Sequence, residues 1–476
     1  MIKRIICHCV GVVVIAFSFS ACTPAIVEKT ANKTVPERYN NVQDTTNTAK
    51  IRWSDFFKDQ YLNALIDTAL KNNQELNITL QEIQIPRNEI RARKGEYLPF
   101  VDLKAGAGVE KVGRYTHQGV GDATTEFEPG KEMPDPLPDY FLGAFASWEV
   151  DIWRKLSNAK KSAISRYLSS AEGKNFMVTH LIAEIANSYF ELIALDNQLK
   201  ILESNIDIQQ NALAIVKLQK SAARVTELAV RKFEAEVFKN QSRQYYIQQS
   251  IVETENRINF LLGRYPQPVA RNSETFADLI PDTIYAGLPS HLLENRPDIK
   301  QAEFELAASK LDVKVAKAEF YPSFGITAGI GYRAFNTKYL VNTPESMLYS
   351  LAGDLVAPLV NKNAIKANYY SANAKQIQAV YNYERTILRA YIEVANQLSN
   401  ISNLKSSYEL EAKQVQALSQ SITISNGLFK SARADYMEVL MTQRDALESR
   451  FELIETKKQQ MNAMVNIYQA LGGGWN

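Results

Sequence analysis

The sequence predicts a mixed, mainly α-helical fold with a few β-strands and an internal two-fold repeat. Residues 174–262 contain neither glycine nor proline, and they hold a heptad seam in which eight of ten positions are apolar. The same seam phase returns 209 residues later, where eight of ten positions are again apolar or aromatic. Each half also contains two runs of about ten residues in which apolar and polar side chains alternate. The first two patterns predict paired long helices, and the third predicts strands.

The heptad seam predicts a long helix that lies against partner helices. Its apolar positions are Leu181, Ile185, Leu192, Leu195, Leu199, Leu202, Ile206 and Leu213, and the two exceptions are Ser188 and Gln209. Most globular helices run about 8–20 residues, so this helix is far longer than a compact domain needs. Landmarks keep the same offset in the second half, where Ala432-Arg433 matches Ala223-Arg224 and Leu471-Gly472 matches Leu262-Gly263. One helical unit is therefore used twice.

The chain is close to electrically neutral. The 476 residues include 54 lysines and arginines and 52 aspartates and glutamates. Two of the basic residues, Lys3 and Arg4, lie in the leader, so the mature chain is electrically balanced. Nothing in this balance favours nucleic acid. The three cysteines are Cys7, Cys9 and Cys22, and the first two belong to the leader, so no intrachain disulfide is expected after processing.

The amino terminus has the pattern of a signal peptide over residues 1–21. Lys3 and Arg4 precede a short apolar run that ends at Phe19-Ser20-Ala21-Cys22, which resembles a bacterial lipobox. The resemblance implies cleavage before Cys22 and covalent lipid on that cysteine. The alternative is an ordinary signal peptide cut near Ala21, with Cys22 left free. Thr23 rather than aspartate follows the cysteine, which favours sorting to the outer membrane, and residues 22–52 are predicted to form an extended tether.

The first repeat is predicted to span residues 53–263. Helical spacing covers Trp53 to Asn72, and a second helix covers Asn73 to Lys94 with a break or kink at Pro86. A β-hairpin follows at about 100–152, with a loop from Gly113 to Asp139, and a long helical hairpin occupies about 155–262. The small, polar segment Ser221–Thr226 is predicted to be the tip of that hairpin.

The second repeat follows a proline-containing connector at 264–288 and spans 289–476. Pro297 suits the first position of a new helix. A second β-hairpin is predicted at about 323–358 and a second long helical hairpin at about 360–471. Its tip is predicted at Lys430–Asp435. The order of elements is the same as in the first repeat.

The alternating runs have the length that a transmembrane β-strand requires. A hairpin facing solvent in a soluble domain produces the same pattern, so alternation alone leaves both readings open. Two hairpins give four strands, which cannot close into a barrel, and open strand edges are not tolerated in lipid. If the strands span a membrane, several chains must share one barrel. The helices, each with one apolar seam, need partners for the same reason.

Several segments resemble the signature of TolC/OprM-like outer-membrane efflux factors of the lipoprotein (NodT-type) branch. They are Trp53–Asn72, Trp148–Asp151, Leu261–Arg264, Gly287–Ile299, Ala302-Glu303 and Glu319–Pro322. The resemblance implies a homotrimer whose twelve-stranded outer-membrane β-barrel, four strands per chain, continues into a long periplasmic α-helical barrel. It implies passive export of drugs or other small molecules, together with a periplasmic adaptor protein and an inner-membrane RND-type pump. The expected location is the outer membrane, with the helices in the periplasm.

The resemblance also assigns roles to the two helix tips, which in this family close the tunnel and meet the adaptor. The residues implied to contact the adaptor are Ser221, Ala222, Ala223, Arg224, Ser431 and Ala432. Glu438 matches an acidic position of the periplasmic aperture, with Asp435 and Arg433 beside it, whereas Met441 stands where a further acid is expected. The alternative is that these charges are simply solvated at a helix end.

The sequence lacks the motifs of the common catalytic sites. It contains no phosphate-binding Gly-x-x-x-x-Gly-Lys-Ser/Thr loop, no zincin pair of histidines and no Gly-x-Ser-x-Gly elbow. No catalytic residue, metal site or cofactor is predicted apart from the lipid on Cys22. Two other functions remain open, a structural or adhesive coiled-coil lipoprotein and a periplasmic adaptor lipoprotein. The first has no use for two equivalent hairpins, and the second needs lipoyl-like segments that are not found.

Overall fold

The computed structural model describes residues 23–39, 46–274, 276, 279, 285–358, 360, 362–431 and 433–475. The predicted signal peptide, Cys22 and Ala432 lie outside these residues. The chain divides into two compact units, which are named here by their dominant structure. The sheet unit comprises Met1–Thr30, Gln84–Leu168 and Phe304–Tyr381, and the helical unit comprises Ala31–Ile83, Ser169–Glu303 and Asn382–Asn476.

The strands of the described chain all lie in the sheet unit. They are β1 (Phe100–Glu110), β2 (Glu126–Glu128), β3 (Lys131–Glu132), β4 (Leu137–Val150), β5 (Ser323–Ala334) and β6 (Met347–Val356). The four long strands form one antiparallel sheet in the order β1-β4-β5-β6, and β2 pairs only with β3. Strands β1 and β6 are therefore the edges of the sheet, and nearly every residue on them is exposed.

The pairing register divides the long strands into two chemically different faces. One row across the sheet places Leu103, Ala144, Ile330 and Tyr349 side by side. The face to which this row belongs carries no charged residue on any of the four strands. The charged side chains all belong to the opposite face, and they are Asp102, Lys104, Glu110, Asp139, Glu149, Arg333 and Asp354. The alternation of apolar and polar residues in the sequence therefore gives the sheet one uncharged face and one charged face.

Helices account for about 65% of the protein, which confirms the mainly α-helical class. Those within the described residues are α1 (Trp53–Phe56), α2 (Gln60–Asn72), α3 (Gln74–Glu82), α4 (Gln84–Glu96), α5 (His117–Thr124), α6 (Lys155–Ser221), α7 (Glu227–Leu261), α8 (His291–Asn295), α9 (Pro297–Ala318), α10 (Asn363–Lys430) and α11 (Tyr436–Ala470). Helices α6 and α10 have 67 and 68 residues, and α7 and α11 have 35 each. None of the described helices combines the length and the hydropathy that crossing a bilayer requires.

The break between α3 and α4 lies at Ile83 and not at Pro86, so the predicted position is wrong. Pro86 is the third residue of α4, where the missing N–H removes no hydrogen bond within the helix. Its ring is incompatible with a helical carbonyl four residues earlier, at Glu82, and α3 ends at that residue. Helix α4 then continues to Glu96, beyond the predicted end at Lys94.

The segment predicted as a loop, residues 113–139, contains regular structure. Helix α5 and the β2–β3 pair both lie within it. The Thr116 hydroxyl caps α5 by accepting the Gly119 N–H at 3.1 Å. Phe127 of β2 packs against Phe335, with ring centroids 5.0 Å apart. The prediction of a plain loop is therefore wrong for this segment.

The heptad seam is the packing face of α6. Leu181, Ile185 and Leu192 are at most 2% exposed, and they belong to one apolar cluster with residues of α2, α7 and α11. Further along the seam, Leu202 and Ile206 join a second cluster with α7 and α11. Burial of these side chains removes apolar surface from water, which is the main stabilising term for such helices.

Glycines end both shorter helices of the helical hairpins. Gly263 follows α7 with φ of 67°, and Gly472 follows α11 with φ of 87°. The Gly263 N–H donates to the Phe260 carbonyl at 2.9 Å, and the Gly472 N–H donates to the Gln469 carbonyl at 2.9 Å. Each glycine supplies the left-handed backbone that a terminated helix of this type needs.

The described part of the predicted amino-terminal tether contacts α10, and its residues Thr48–Lys50 form a 3-10 helix instead of extended chain. In the sheet unit, the Lys29 carbonyl accepts the Gln376 amide at 2.9 Å, and the Lys29 ammonium lies 3.4 Å from the centre of the Tyr381 ring. In the helical unit, Tyr39 is 4% exposed and stacks on Tyr391 with ring centroids 5.3 Å apart. These contacts hold the described part of the tether against α10.

Candidate functional site

The first helix tip joins α6 to α7 through a hydrogen-bonded turn. Ala223 has left-handed backbone geometry, with φ of 55°. Its N–H donates to the Lys220 carbonyl at 2.9 Å, and the Arg224 N–H donates to the Gln219 carbonyl at 2.9 Å. These two bonds are the pair that closes a Schellman helix end. Thr226 then caps α7, because its hydroxyl accepts a backbone N–H of that helix.

The first tip presents small and polar side chains to solvent. Ser221, Ala222, Ala223 and Arg224 are all exposed, as residues that contact a partner must be. Next to the tip, two ion pairs connect α6 and α7. The ion pairs are Lys220–Glu227 at 2.6 Å and Lys217–Glu234 at 2.9 Å, and they link the two helix ends at the surface.

The second helix tip lies between Lys430 at the end of α10 and Tyr436 at the start of α11. Ser431, Arg433, Asp435 and Glu438 are exposed. Asp435 occupies the N-cap position of α11, but its side chain caps no backbone N–H. Within the described residues, the aperture candidates Arg433, Asp435 and Glu438 form no ion pair. Their charges are therefore available to ions and partners.

The structure brings the two tips together. Val225 of the first tip and Tyr436 and Met437 beyond the second tip pack on one apolar cluster, called here the tip-proximal cluster. Its buried members are Val216, Ala229, Val230, Phe233 and Leu440. The location of each tip is confirmed, whereas their contact is a tertiary feature that sequence spacing could not show.

Arg296 is buried at the end of the helical hairpins that lies opposite the tips. Its side chain is 5% exposed. It makes two hydrogen bonds to Asp298, at 2.9 and 2.6 Å, and one to Glu393 at 2.7 Å. It also donates to the Ala470 carbonyl at 3.1 Å, at the end of α11. Burial opposes the charged form, but the bonds and charges of Asp298 and Glu393 raise the pKa of the Arg296 guanidinium.

Arg296 is thus a positioning residue that the sequence marked only as part of a motif. It joins the start of α9 to α10 and to the last carbonyls of α11. Trp475 completes this corner by donating its indole N–H to the Gly472 carbonyl at 2.9 Å. A cation at a helix carboxyl end is favourable because the free carbonyls there carry partial negative charge.

The sheet unit offers a second candidate surface, the uncharged face of β1, β4, β5 and β6. Large apolar side chains on this face are exposed in the single chain, including Leu103 at 84%, Ile330 at 58% and Leu351 at 79%. Large apolar side chains exposed together on one face mark a lipid or protein contact. The backbone groups at the outer sides of β1 and β6 have no strand partner in the described chain.

The opposite face of the sheet is acidic, with five carboxylates and two cationic side chains on the four strands. Arg333 and Asp139 pair across β4 and β5, with Nε–Oδ1 and Nη2–Oδ2 distances of 2.8 and 2.7 Å. Across the described residues, no group of three or more metal-binding side chains converges. The sheet therefore has one uncharged, largely apolar surface and one acidic surface.

The comparisons with known proteins agree with this geometry. The chain matches the family described as Outer membrane efflux protein over residues 65–264 and 288–473, which together make up most of its length. The chain belongs to this family. The two matched ranges fall on either side of the connector, and each contains one helix tip and one pair of long strands.

Relatives within the outer membrane efflux proteins share about a quarter of their residues with this chain. The Solvent efflux pump outer membrane protein SrpC of Pseudomonas putida is 26% identical over 430 residues, 90% of this chain and 88% of that protein. The Cation efflux system protein CusC of Escherichia coli O6:H1 is 26% identical over 469 residues, 97% of each chain. The Probable outer membrane lipoprotein SilC of Salmonella typhimurium is 25% identical over 437 residues, 92% of this chain and 89% of that protein.

Solved structures show the same fold. The open state of the MtrE outer membrane channel of Neisseria gonorrhoeae superposes with a TM-score of 0.83 at 21% identity, covering 96% of this chain and 99% of that one. A crystal structure of CusC superposes with a TM-score of 0.82 at 24% identity, covering 94% and 99%. This outer membrane efflux protein therefore has the channel fold over nearly its whole length.

Proposed function

We propose that this protein is the outer-membrane channel of a tripartite efflux system. It passively conducts drugs or other small molecules that an inner-membrane RND-type pump and a periplasmic adaptor deliver. The observation that supports this proposal most strongly is the uncharged, exposed sheet face of a member of the outer membrane efflux protein family, with two edge strands that have no outer partner in the described chain. Family membership favours the channel over a structural or adhesive lipoprotein, and no catalytic role is proposed.

The proposed assembly is a homotrimer. An unpaired backbone group costs several kcal/mol in hydrocarbon, so the outer sides of β1 and β6 need strand partners in a membrane. Pairing β1 of one copy with β6 of the next satisfies both edges. Three copies then supply twelve strands, which close a barrel with the uncharged face toward lipid and the acidic face toward the lumen.

The helical barrel is proposed to continue this pore into the periplasm. The two helical hairpins have nearly equal helix lengths, 67 and 35 residues in the first and 68 and 35 in the second. This equality supports the proposed two-fold repeat, with repeat 1 at 53–263, a connector at 264–288 and repeat 2 at 289–476. Residues 1–21 are the proposed signal peptide, and Cys22, which lies outside the described residues, is the proposed lipid anchor.

The helix tips are the proposed periplasmic aperture and adaptor contact. The exposed residues Ser221 to Arg224 and Ser431 suit contact with an adaptor. Glu438, which is exposed and forms no ion pair within the described residues, is the proposed acid of the aperture. Asp435 and Arg433 lie beside it in sequence and adjust its local charge. Three copies of one free carboxylate at a constriction would favour cations.

A planar-bilayer measurement tests the function and the aperture together. The purified protein is expected to form ion-conducting pores that prefer cations over anions. The Glu438→Gln variant is expected to lower the cation-to-anion permeability ratio about two-fold or more, because three carboxylates leave the constriction. The matched control is Glu75→Gln, an exposed acid on α3, which should leave the ratio unchanged.

Two results of this measurement would count against the proposal. Absence of any conductance from folded protein inserted in the bilayer would overturn the channel function. Normal conductance with the same permeability ratio in Glu438→Gln and in the native protein would support the channel function. It would also show that Glu438 does not line the aperture.

A further inference from the structure

A cavity of about 680 Å³ lies in the sheet unit, where the four long strands meet the ends of three helices. Its floor is the acidic face of the sheet. Phe100, Ser147 and Thr327 lie side by side in one row of this floor, and Glu149 and Asp354 belong to the next row. The walls are the last turn of α4, the first turns of α6 and the carboxyl end of α9. Small-molecule sites have volumes of about 300–1,000 Å³, so this cavity has room for an organic molecule.

Apolar side chains line much of this cavity. Those on the acidic face and on the helices are Phe100, Leu156, Ala159, Val315 and Val356. Phe100 is 54% exposed and Val356 is 65% exposed, although both belong to the acidic face. Exposed apolar surface in a concave site favours a ligand with an apolar body, because binding removes that surface from water.

Two ion pairs neutralise four of the charged side chains that line the cavity. Lys155 of α6 pairs with Glu149 of β4 at 2.5 Å, and Arg93 of α4 pairs with Glu96 at 3.0 Å. Both cationic groups at the cavity are therefore occupied by carboxylates of the protein. Neither is left to attract an anion, so the cavity does not suit a negatively charged ligand.

Two further carboxylates line the cavity and form no ion pair within the part of the chain that the structure describes. They are Glu319, directly after α9, and Asp354 on β6. Glu319 is half-buried and Asp354 is exposed, so a ligand can reach both. Since the two ion pairs cancel, these carboxylates give the cavity a net charge of −2.

The helix ends at the cavity also favour positive charge. The carboxyl ends of α4 and α9 line it, and a helix carboxyl end carries partial negative charge. The amino end of α6 carries partial positive charge, but the Asp151 carboxylate accepts the Leu156 and Ser157 N–H groups at 2.9 and 2.7 Å. This carboxylate offsets the positive end of α6. Side chains and helix ends together attract a cation.

We propose that this cavity binds an amphipathic organic cation, whose apolar body contacts Phe100, Val315 and Val356 and whose positive group is held by Glu319 and Asp354. The cavity opens on the acidic face of the sheet, which the proposed trimer turns toward the lumen. The inference that the bound cation is a transported molecule therefore rests on the proposed function. A site on a conduction path must release its ligand, so we expect the binding to be weak.

Equilibrium dialysis with tetraphenylphosphonium and tetraphenylborate tests the site, because these two ions have the same shape and opposite charge. The full-length protein in detergent is dialysed against each ion, and uptake by protein-free detergent is subtracted. The native protein should bind tetraphenylphosphonium about tenfold more tightly than tetraphenylborate. Tetramethylammonium has the same charge but little apolar surface, and it should bind about tenfold more weakly than tetraphenylphosphonium.

Substitution of the two unpaired carboxylates identifies the site. Glu319→Gln and Asp354→Asn should each weaken tetraphenylphosphonium binding about threefold, and the double variant about tenfold, because the compensating charges are removed. The matched control is Glu110→Gln. Glu110 is an exposed carboxylate of the same acidic face, but it lies outside the cavity at the other end of β1, roughly 30 Å from Phe100. Its replacement should leave the binding unchanged.

Three results would overturn the proposed site. The first is equal binding of tetraphenylphosphonium by the native protein and by a double variant whose circular dichroism shows a native fold. The second is a loss of binding in Glu110→Gln as large as that in Glu319→Gln, which would mean that the ion responds only to the overall charge of the face. The third is equal binding of the cation and the anion by the native protein.

Conductance of the same samples separates this inference from the proposed function. If the native protein conducts and the double variant binds tetraphenylphosphonium as the native protein does, the site is wrong and the channel stands. If binding depends on Glu319 and Asp354 but no sample conducts, the site stands and the channel function is wrong.

Discussion

Ile330→Arg is expected to prevent assembly of the protein in the outer membrane. Ile330 lies on the central strand β5, in the uncharged row with Leu103, Ala144 and Tyr349. Its side chain is 58% exposed in the single chain, so the same change would cost little if this face met water. Facing lipid, an arginine near the midplane costs about 2–4 kcal/mol per copy, hence about 6–12 kcal/mol in a trimer.

Thr327→Arg is the matched control for this prediction. Thr327 is exposed on the same strand, but it belongs to the opposite face, in the row with Phe100, Ser147 and Ala352. The measurement is the amount of each variant recovered as a detergent-extracted oligomer from outer membranes. Recovery of Ile330→Arg should fall at least tenfold and that of Thr327→Arg much less. Equal recovery of the two variants would show that the uncharged face does not meet lipid.

Arg296→Met is expected to lower the free energy of unfolding of the helical unit by about 3 kcal/mol or more. Removing one member of a buried ionic network leaves the remaining charges without compensation. Here Asp298 and Glu393 would both lose a guanidinium, and the Ala470 carbonyl at the end of α11 would lose a donor. The measurement is calorimetric unfolding of the detergent-solubilised protein.

Arg389→Met serves as the control for the Arg296 prediction. Arg389 pairs with the same carboxylate, Glu393, at 2.8 Å, but its side chain is 77% exposed. Exposed pairs of this kind contribute about 0.3–0.5 kcal/mol. A change at Arg389 as large as that at Arg296 would contradict the assignment of Arg296 as the residue that fixes this corner of the helical unit.

Periodicity made the long elements predictable. The seam through Leu181, Ile185 and Leu192 is strict over many turns, and β1 begins and ends within one residue of its alternating run. Short elements between them gave no comparable signal. Helix α5 contains Gly119 and Gly121, which are poor helix formers, and its cap is a single threonine. Its structure depends on a local capping hydrogen bond that the residue composition does not reveal.

The tips were predictable because small and polar residues interrupt two long periodic stretches. The contacts that surround them were not. Arg296 and Glu393 are separated by 97 residues, and no pattern in the sequence relates them. Gln209 was visible as an exception in the seam, but its hydrogen-bond partner Asn240 lies on another helix. Such features arise from tertiary packing, which a single sequence does not display.

The most direct test of the channel is the mass and single-particle image of the Cys22→Ala protein extracted from outer membranes. Without a lipidated cysteine, only the shared barrel can hold the protein in the membrane. A detergent-dependent trimer with three-fold symmetry, twelve strands and one continuous lumen is the predicted result. A monomer that is soluble without detergent and has no lumen would contradict the account.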